Sequence, residues 1–454
     1  MRRSAGSARA IHRVKSIRWF LCACALALPA AGCAQEGGPR PSVVLILVDQ
    51  LRQDAAERWM PATRALAERG IRCEAMRSVA PWTYPSVISL FSGLYPQQHG
   101  ANANQDGTRL TTISPDVPLL PRTLHAAGYH TAGFVTNPFL HEWNRPVREC
   151  FDHFDASFIG DQGPTRGHGD KVWTERMYSD SVNPRVREYF DARPLSGPEF
   201  TYVHYIDVHG RREGPEQWKD APFEPSYEAA VSYVDGKVHE LYEYFRARYG
   251  ERFLFVVTSD HGQDLGDDLA VGDDRPLRQR KASLHDFNLR IPFWILPSAL
   301  VDAPRVITQP CANVDVAPTL LEWLGLPPQV DGPGASLLGA LRGLPYDGEG
   351  RVFYARNATG GRFEESVLSA HRKLVHYCDP ESETVRAALL YDLAADPREL
   401  HGRPGKTTDL ERILQEAAGS HGRSFEARFE EIDPATLERL NDLGYGGGKD
   451  AKAE

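Results

Sequence analysis

The chain has 454 residues, 41% hydrophobic, 25% charged and 10% aromatic, a composition that excludes a disordered, collagen-like or multi-span membrane protein. The formal charge is −9, and residues 1–32 hold six basic side chains (Arg2, Arg3, Arg9, Arg13, Lys15, Arg18) and no acid, so the remainder carries about −15. An acidic surface argues against a nucleic-acid partner, and the length allows one large domain with a smaller one, or two to three domains.

A basic stretch to Arg18 is followed by the apolar run WFLCACALALPA and the small residues Ala30, Ala31 and Gly32 before Cys33. The run is too short to span a bilayer and reads as an export signal. The string AAGC resembles a bacterial lipobox, so residues 1–33 are expected to be a signal peptide ending at a lipidated Cys33. That expectation places the protein in the bacterial cell envelope, anchored to the membrane by lipid; a plain secretory signal is the alternative. Residues 34–40 read as a tether. Cys73, Cys150, Cys311 and Cys378 match no zinc or redox spacing and read as isolated thiols, with disulfides among them left open.

Val43–Val48 is a continuous apolar run, as expected of a strand buried on both faces. Helices are expected over Pro61–Arg69 and Leu119–Ala127, each followed by glycine, then a strand over His130–Val135. Phe200–Ile206 and Phe253–Ser259 read as strands flanking a helix over Ser226–Tyr249. Pro292–Leu296 and Val316–Leu324 add a strand and a helix. This alternation predicts an α/β domain over residues 41–345 with a largely parallel sheet. From about Gly350 the segments RVFYAR, ESVLSAHRKLVHY and ALLYDL read as antiparallel strands, giving a C-terminal subdomain over 346–402. Residues 403–454 read as a peripheral helical tail. The long loops around residues 157–180 and 210–225 carry no readable specificity code.

Ligands in open α/β sheets collect at the carboxyl ends of strands. Asp49 ends the first strand, although an aspartate there is equally a helix N-cap. TSDHG places Asp260 and His261 side by side, a pair suited to a metal ion. HYIDVHG places Asp207 and His209 after a strand, while His204, inside it, reads as a core histidine. In PWTYPSVISLFSG, Pro85 is expected as a first helical residue, which sets Thr83 at a helix N-terminus where free N–H groups favour an anion. Taken alone, Thr83 reads as a simple helix cap.

Asp49, TYPS and TSDHG, in this order and at these separations, resemble the sulfatase family of the alkaline phosphatase superfamily. The resemblance extends through LAERGIRCEAMRSVAPWTYPSVISLFSGLYPQQHG, AAGYHTAGF, KASLHDFNLRIPFWI, NVDVAPTLLEWLGLP and LLYDLAADPREL, roughly residues 41–405. It implies an alkaline-phosphatase-like three-layer sandwich with a mixed, mostly parallel central sheet and a small C-terminal antiparallel sheet with a helix. It also implies hydrolysis of sulfate or phosphate esters with a bound divalent metal.

The departures are specific. Where sulfatases carry a cysteine or serine that is oxidised to formylglycine, this chain has Thr83, whose β-carbon bears a methyl group and cannot yield that aldehyde. Val87 replaces an arginine, Gln50 a second aspartate, and His261 an asparagine; Thr136 and Pro138 stand for the lysine and histidine of the GKWH segment. The set resembles the single-metal site of lipoteichoic acid synthase-type phosphoglycerol transferases. Threonine nucleophiles also occur in the two-zinc nucleotide pyrophosphatase branch, whose distal histidine has only His285 as a counterpart here. One divalent ion (calcium, manganese or zinc) is therefore expected on Asp49, Thr83, Asp260 and His261. Thr83, His209 and Lys281 are the expected catalytic residues, with Asp207, His285 and Asn137 as substrate contacts; Lys281 reads equally as part of a solvated basic loop. The expected activity is that of an exported hydrolase on a sulfated or phosphorylated small molecule, glycan or lipid head group. Two alternatives remain: a phosphoethanolamine- or phosphoglycerol-type transferase, and an inactive relative that binds an anionic glycan.

Overall fold

A computed structural model describes residues 40–102, 109–140, 145–157, 178–209, 223–267, 283–344, 350–359, 362–419 and 424–431. Eight strands form the central sheet, in the order Arg305–Ile307, Ile71–Cys73, Phe293–Ile295, Phe253–Thr258, Ser42–Val48, Glu199–Tyr205, His130–Val135 and His153–Asp155. All neighbours run parallel except Phe293–Ile295, which opposes both of its partners. The sheet is thus mixed and mostly parallel, as the alternating pattern and the family resemblance imply.

The apolar run in the first strand has a direct explanation. Successive side chains point to opposite faces, and both faces are covered. Val43, Leu45 and Leu47 enter one core with Val87, Ile88 and Phe91 of helix Thr83–Ser92 and Leu320 of helix Val316–Trp323. Val44, Ile46 and Val48 enter the other with Val186 of helix Ser179–Asp191 and Val234 and Leu241 of helix Phe223–Tyr249. These two cores make the three layers.

The C-terminal antiparallel sheet has five strands: Val352–Asn357, Phe363–Ser369, Arg372–Cys378, Val385–Asp392 and Arg403–Pro404. Helix Thr408–Gly419 packs Leu410 and Leu414 against Val367 and Leu374 of that sheet. Its amphipathic stripe is therefore a core contact. The tail is also not helical throughout, because Arg428–Glu431 pairs antiparallel with Arg109–Thr112. RFEE shows no apolar alternation and leaves Phe429 half exposed, so this strand is recognised by its backbone pairing. The described residues all belong to one compact unit.

Two local features position the site. Helix Thr83–Ser92 begins at Thr83, with Trp82 as its extended N-cap. Pro85 is thus the third helical residue, not the first, and its missing N–H still falls among the donors a first turn leaves unpaired. Gly262 lies so close to the next segment that a β-carbon would sit 2.1 Å from the Phe287 carbonyl oxygen. Cys73, Cys150, Cys311 and Cys378 are all buried free thiols. No described helix is long and apolar enough to cross a membrane. Cys33 and the whole stretch 1–39 lie outside the described residues, as do Lys281 and most of the two long loops.

Candidate active site and metal centre

Three parallel strands deliver the polar cluster to one edge of the sheet. Asp49 directly follows Ser42–Val48, and its N–H extends the ladder to the Tyr205 carbonyl at 2.8 Å. Asp260 and His261 follow Phe253–Thr258, and Asn137 follows His130–Val135 by two residues. The helix beginning at Thr83 is fixed to this edge by Ser86, whose hydroxyl donates to the Asp260 carbonyl at 2.5 Å and also contacts Ser78 and Asn313 at 2.9 Å.

The two oxygens of Asp49 have different roles. Oδ2 accepts from Asn137 Nδ2 at 2.6 Å, His204 Nε2 at 3.1 Å and Thr83 Oγ1 at 3.3 Å. Oδ1 is buried and has no hydrogen-bond partner. Asp260 shows the same division: Oδ1 accepts the N–H groups of His261 at 2.9 Å and Gln50 at 3.1 Å, and Oδ2 is buried and unpartnered. Gln50 reaches this position with φ +61°, a conformation costly for a residue with a side chain.

His261 completes the arrangement. Its Nδ1 lies 2.8 Å from the Gly262 carbonyl, which can only accept, so Nδ1 carries the proton and Nε2 presents a lone pair. That Nε2 is 3.5 Å from Asp260 Oδ2, 3.9 Å from Asp49 Oδ1 and 3.5 Å from Thr83 Oγ1. One ligand atom each from Asp49, Asp260 and His261 lies within 4.8 Å of the others, and all three residues are buried. Two orphaned carboxylate oxygens and an imidazole lone pair fit a divalent cation, because each group otherwise bears an uncompensated desolvation cost.

The electrostatics agree with this reading. Burial opposes ionisation of Asp49, yet the nearby His209 and the hydrogen bond from His204 hold its carboxyl well below the usual range. Asp260 moves the other way, raised by burial and then by the negative charge of Asp49. Two buried carboxylates that push each other apart in this way are what a cation between them would relieve.

The structure brings together Asp49, Thr83, Asn137, Asp260 and His261, with His209 on the same side through its effect on Asp49. Asp207 and His285 point to other partners. Asp207 accepts the Ser179 N–H and hydroxyl at the start of a helix, and burial pushes its carboxyl up to about 6. His285 stacks on Phe287 and lies 3.2 Å from Ser283 Oγ and 3.4 Å from the Tyr391 hydroxyl, against the C-terminal sheet. Sequence reasoning placed His204 in the core; it is fully buried, but its ring touches Asp49. The period of two places Tyr202 and His204 on one face of the strand, but only the strand pairing brings that face to Asp49.

Comparison with known proteins places this geometry in a family. The Sulfatase family profile matches residues 41–326. The Δ4,5-hexuronate-2-O-sulfatase of Bacteroides thetaiotaomicron is 22% identical, over 82% of this chain and 86% of its own. The choline-sulfatase of Rhizobium meliloti is 26% identical, over 80% and 82%. Among solved structures, phosphonate monoester hydrolase from Silicibacter pomeroyi superposes with a TM-score of 0.64 at 17% identity, covering 84% of this chain and 95% of its own. A structure in complex with its substrate D-glucosamine-2-N,6-O-disulfate superposes with a TM-score of 0.62 at 17% identity, covering 84% and 98%. The chain belongs to the sulfatase family, as a hydrolase of sulfuric or phosphoric ester bonds.

Proposed function

We propose that this protein cleaves a phosphate or sulfate ester with Thr83 as nucleophile, in a site where Asp49, Asp260 and His261 hold one divalent cation. The observation that carries the reading is the pair of buried, unpartnered oxygens, Asp49 Oδ1 and Asp260 Oδ2, facing His261 Nε2 beside Thr83 Oγ1. The ion would act as a Lewis acid, favouring negative charge on the threonine oxygen and on the ester.

The chain's own groups do the rest. Thr83 is the first residue of its helix, so first-turn N–H groups favour the anionic group under attack. Asn137 Nδ2, 3.4 Å from Thr83 Oγ1, supports charge on that oxygen. His209 and Lys281 serve the non-bridging oxygens or the leaving group. Thr83 Oγ1 bonds to phosphorus or sulfur as the ester oxygen departs, and the proton lost by the hydroxyl leaves with the alcohol. Water then attacks the phospho- or sulfo-threonine, releasing the anion and restoring Thr83.

Threonine closes the formylglycine route, in which sulfate is released by collapse of an aldehyde hydrate. A sulfo-threonine must be hydrolysed at sulfur instead. A phosphoryl centre carries more negative charge than a sulfuryl one and gains more from a cation. These arguments favour a phosphoester; the two relatives named by sequence are sulfatases, and one named structure is a phosphonate monoester hydrolase. The substrate class is an anionic ester on a small molecule, glycan or lipid head group.

Export and lipidation at Cys33 belong to the same proposal, supported by the succession of basic, apolar and AAGC segments. Mass spectrometry of membrane-extracted protein is expected to show residues 1–32 absent and acyl chains on Cys33; an unlipidated start elsewhere would contradict it. Aryl sulfate, phosphate monoester and phosphodiester substrates, screened with manganese, zinc and calcium, test the activity. The peptide containing Thr83, quenched during turnover, is expected to carry one added phosphoryl or sulfuryl group.

A further inference from the structure

We propose that Tyr202 and His204 form a buried relay that positions Asp49, fixing which carboxylate oxygen is offered to the cation, so that His204 is a positioning residue of the metal centre. This rests on the reading of Asp49 as a metal ligand.

The relay follows from strand geometry. Glu199–Tyr205 pairs in parallel with Ser42–Val48, in a register that sets His204 opposite Leu47, close to where both strands end. Tyr202 and His204 are two residues apart and share a face. His204 Nε2 lies 3.1 Å from Asp49 Oδ2, and His204 Nδ1 lies 2.9 Å from the Tyr202 hydroxyl, with both side chains fully buried.

The direction of each hydrogen bond is determined. A carboxylate only accepts, so His204 Nε2 carries the proton. A buried phenol must donate, and among the described partners of the Tyr202 hydroxyl the acceptor is His204 Nδ1. Burial raises the Tyr202 phenol well above its ordinary value, which keeps it a donor. The tyrosine therefore enforces the tautomer that points an N–H at Asp49. Without it, the buried Nδ1 lone pair loses its donor, and the ring is held toward Asp49 from one side only.

Asn137 meets the same oxygen from another strand. The Phe139 N–H donates to Asn137 Oδ1 at 2.9 Å, and this fixes the amide so that Nδ2 faces Asp49. With the Thr83 hydroxyl also on Oδ2, that oxygen's acceptor capacity is filled. Oδ1 is left as the one open side of the carboxylate. Groups that orient a metal ligand in this way are commonly worth about 10–100-fold in metal affinity.

The test is Mn²⁺ titration of full-length, chelator-stripped protein, followed by the loss of the free-ion paramagnetic resonance signal. His204→Phe is expected to weaken Mn²⁺ binding about 10–100-fold, and His204→Gln, which keeps an N–H donor, to recover part of that loss. Tyr202→Phe is expected to weaken binding in the wild-type background and to add nothing in His204→Phe. Thermal unfolding of the metal-free variants reports whether each is folded, and Tyr202→Phe removes one oxygen while keeping the ring, so the proposal stands or falls on it even if His204→Phe unfolds. Asp260→Ala provides the reference loss. If Asp260→Ala abolishes binding while the Tyr202 and His204 variants bind like wild type, the relay is wrong and the metal centre stands. If wild type itself binds no Mn²⁺, Zn²⁺ or Ca²⁺, the metal reading fails first and the relay with it.

Discussion

Replacing Asp260 by asparagine separates the electrostatics of this site from its stability, because the two respond in opposite directions. Asp260 Oδ1 accepts two backbone N–H groups, from Gln50 and His261. Asparagine keeps an oxygen there and turns its Nδ2 toward Asp49 Oδ1 and His261 Nε2. The new N–H groups meet an orphaned carboxylate oxygen and an imidazole lone pair. They also remove one of two buried charges of like sign. An unsatisfied buried polar group costs roughly 1–3 kcal/mol, more if charged. The metal-free variant is therefore expected to be at least as stable as wild type, by about 1 kcal/mol or more. The holo comparison reverses. A ligand at 100 times its Kd stabilises by about 2.7 kcal/mol, and Asp260→Asn is expected to lose that gain. Urea unfolding of both proteins, with chelator and with saturating metal, measures all four states. A metal-free variant clearly less stable than wild type, with its metal response intact, would refute the reasoning.

Other predictions address the surroundings of the site. In Gly262→Ala a methyl would meet the Phe287 carbonyl at 2.1 Å, so the His261 loop must shift; a loss of about 1–3 kcal/mol is expected by denaturation, with weakened metal binding. Asp207 has a folded value near 6, raised by burial above its ordinary 3.8. The folded state thus holds the proton more tightly, and stability falls as pH rises from about 4 to 6. The full loss is about 3 kcal/mol, and Asp207→Asn is expected to flatten that limb of the pH–stability curve. Lys373 lies 2.5 Å from Glu399 and 3.6 Å from Asp286, while Arg77 grips Asp286 at 2.6 Å, all largely buried. Lys373→Met is expected to cost about 3–5 kcal/mol, and the double change Lys373→Met with Glu399→Gln to recover most of it; equal losses in both would contradict a charge-pair origin.

The parts of this structure legible in the sequence are those fixed by local pattern. A short unbroken run of β-branched and other apolar residues such as Val43–Val48 is what a strand covered on both faces requires, and the observed strand, Ser42–Val48, splits its side chains between two cores. The TSDHG pair was visible because strand ends are where such a fold collects polar groups. His204 was hidden by its position inside an apolar strand. What distinguishes it from a core histidine is a neighbour 155 residues away, and only the pairing register supplies that neighbour. Asp207 also stands at a strand end, and its carboxylate accepts from Ser179 at the N-terminus of the Ser179–Asp191 helix, a partner 28 residues away that no local pattern announces. Arg428–Glu431 is not legible in the sequence because RFEE lacks the apolar alternation that marks a strand, and its pairing partner, Arg109–Thr112, lies more than 300 residues away.

The most direct test of the central claim is turnover by Thr83→Ala, with bound metal quantified on the same sample. The account predicts a protein that retains its metal, because Asp49, Asp260 and His261 remain, and that turns over neither phosphate nor sulfate esters. Substantial turnover by metal-loaded Thr83→Ala would contradict it and point to direct attack by water.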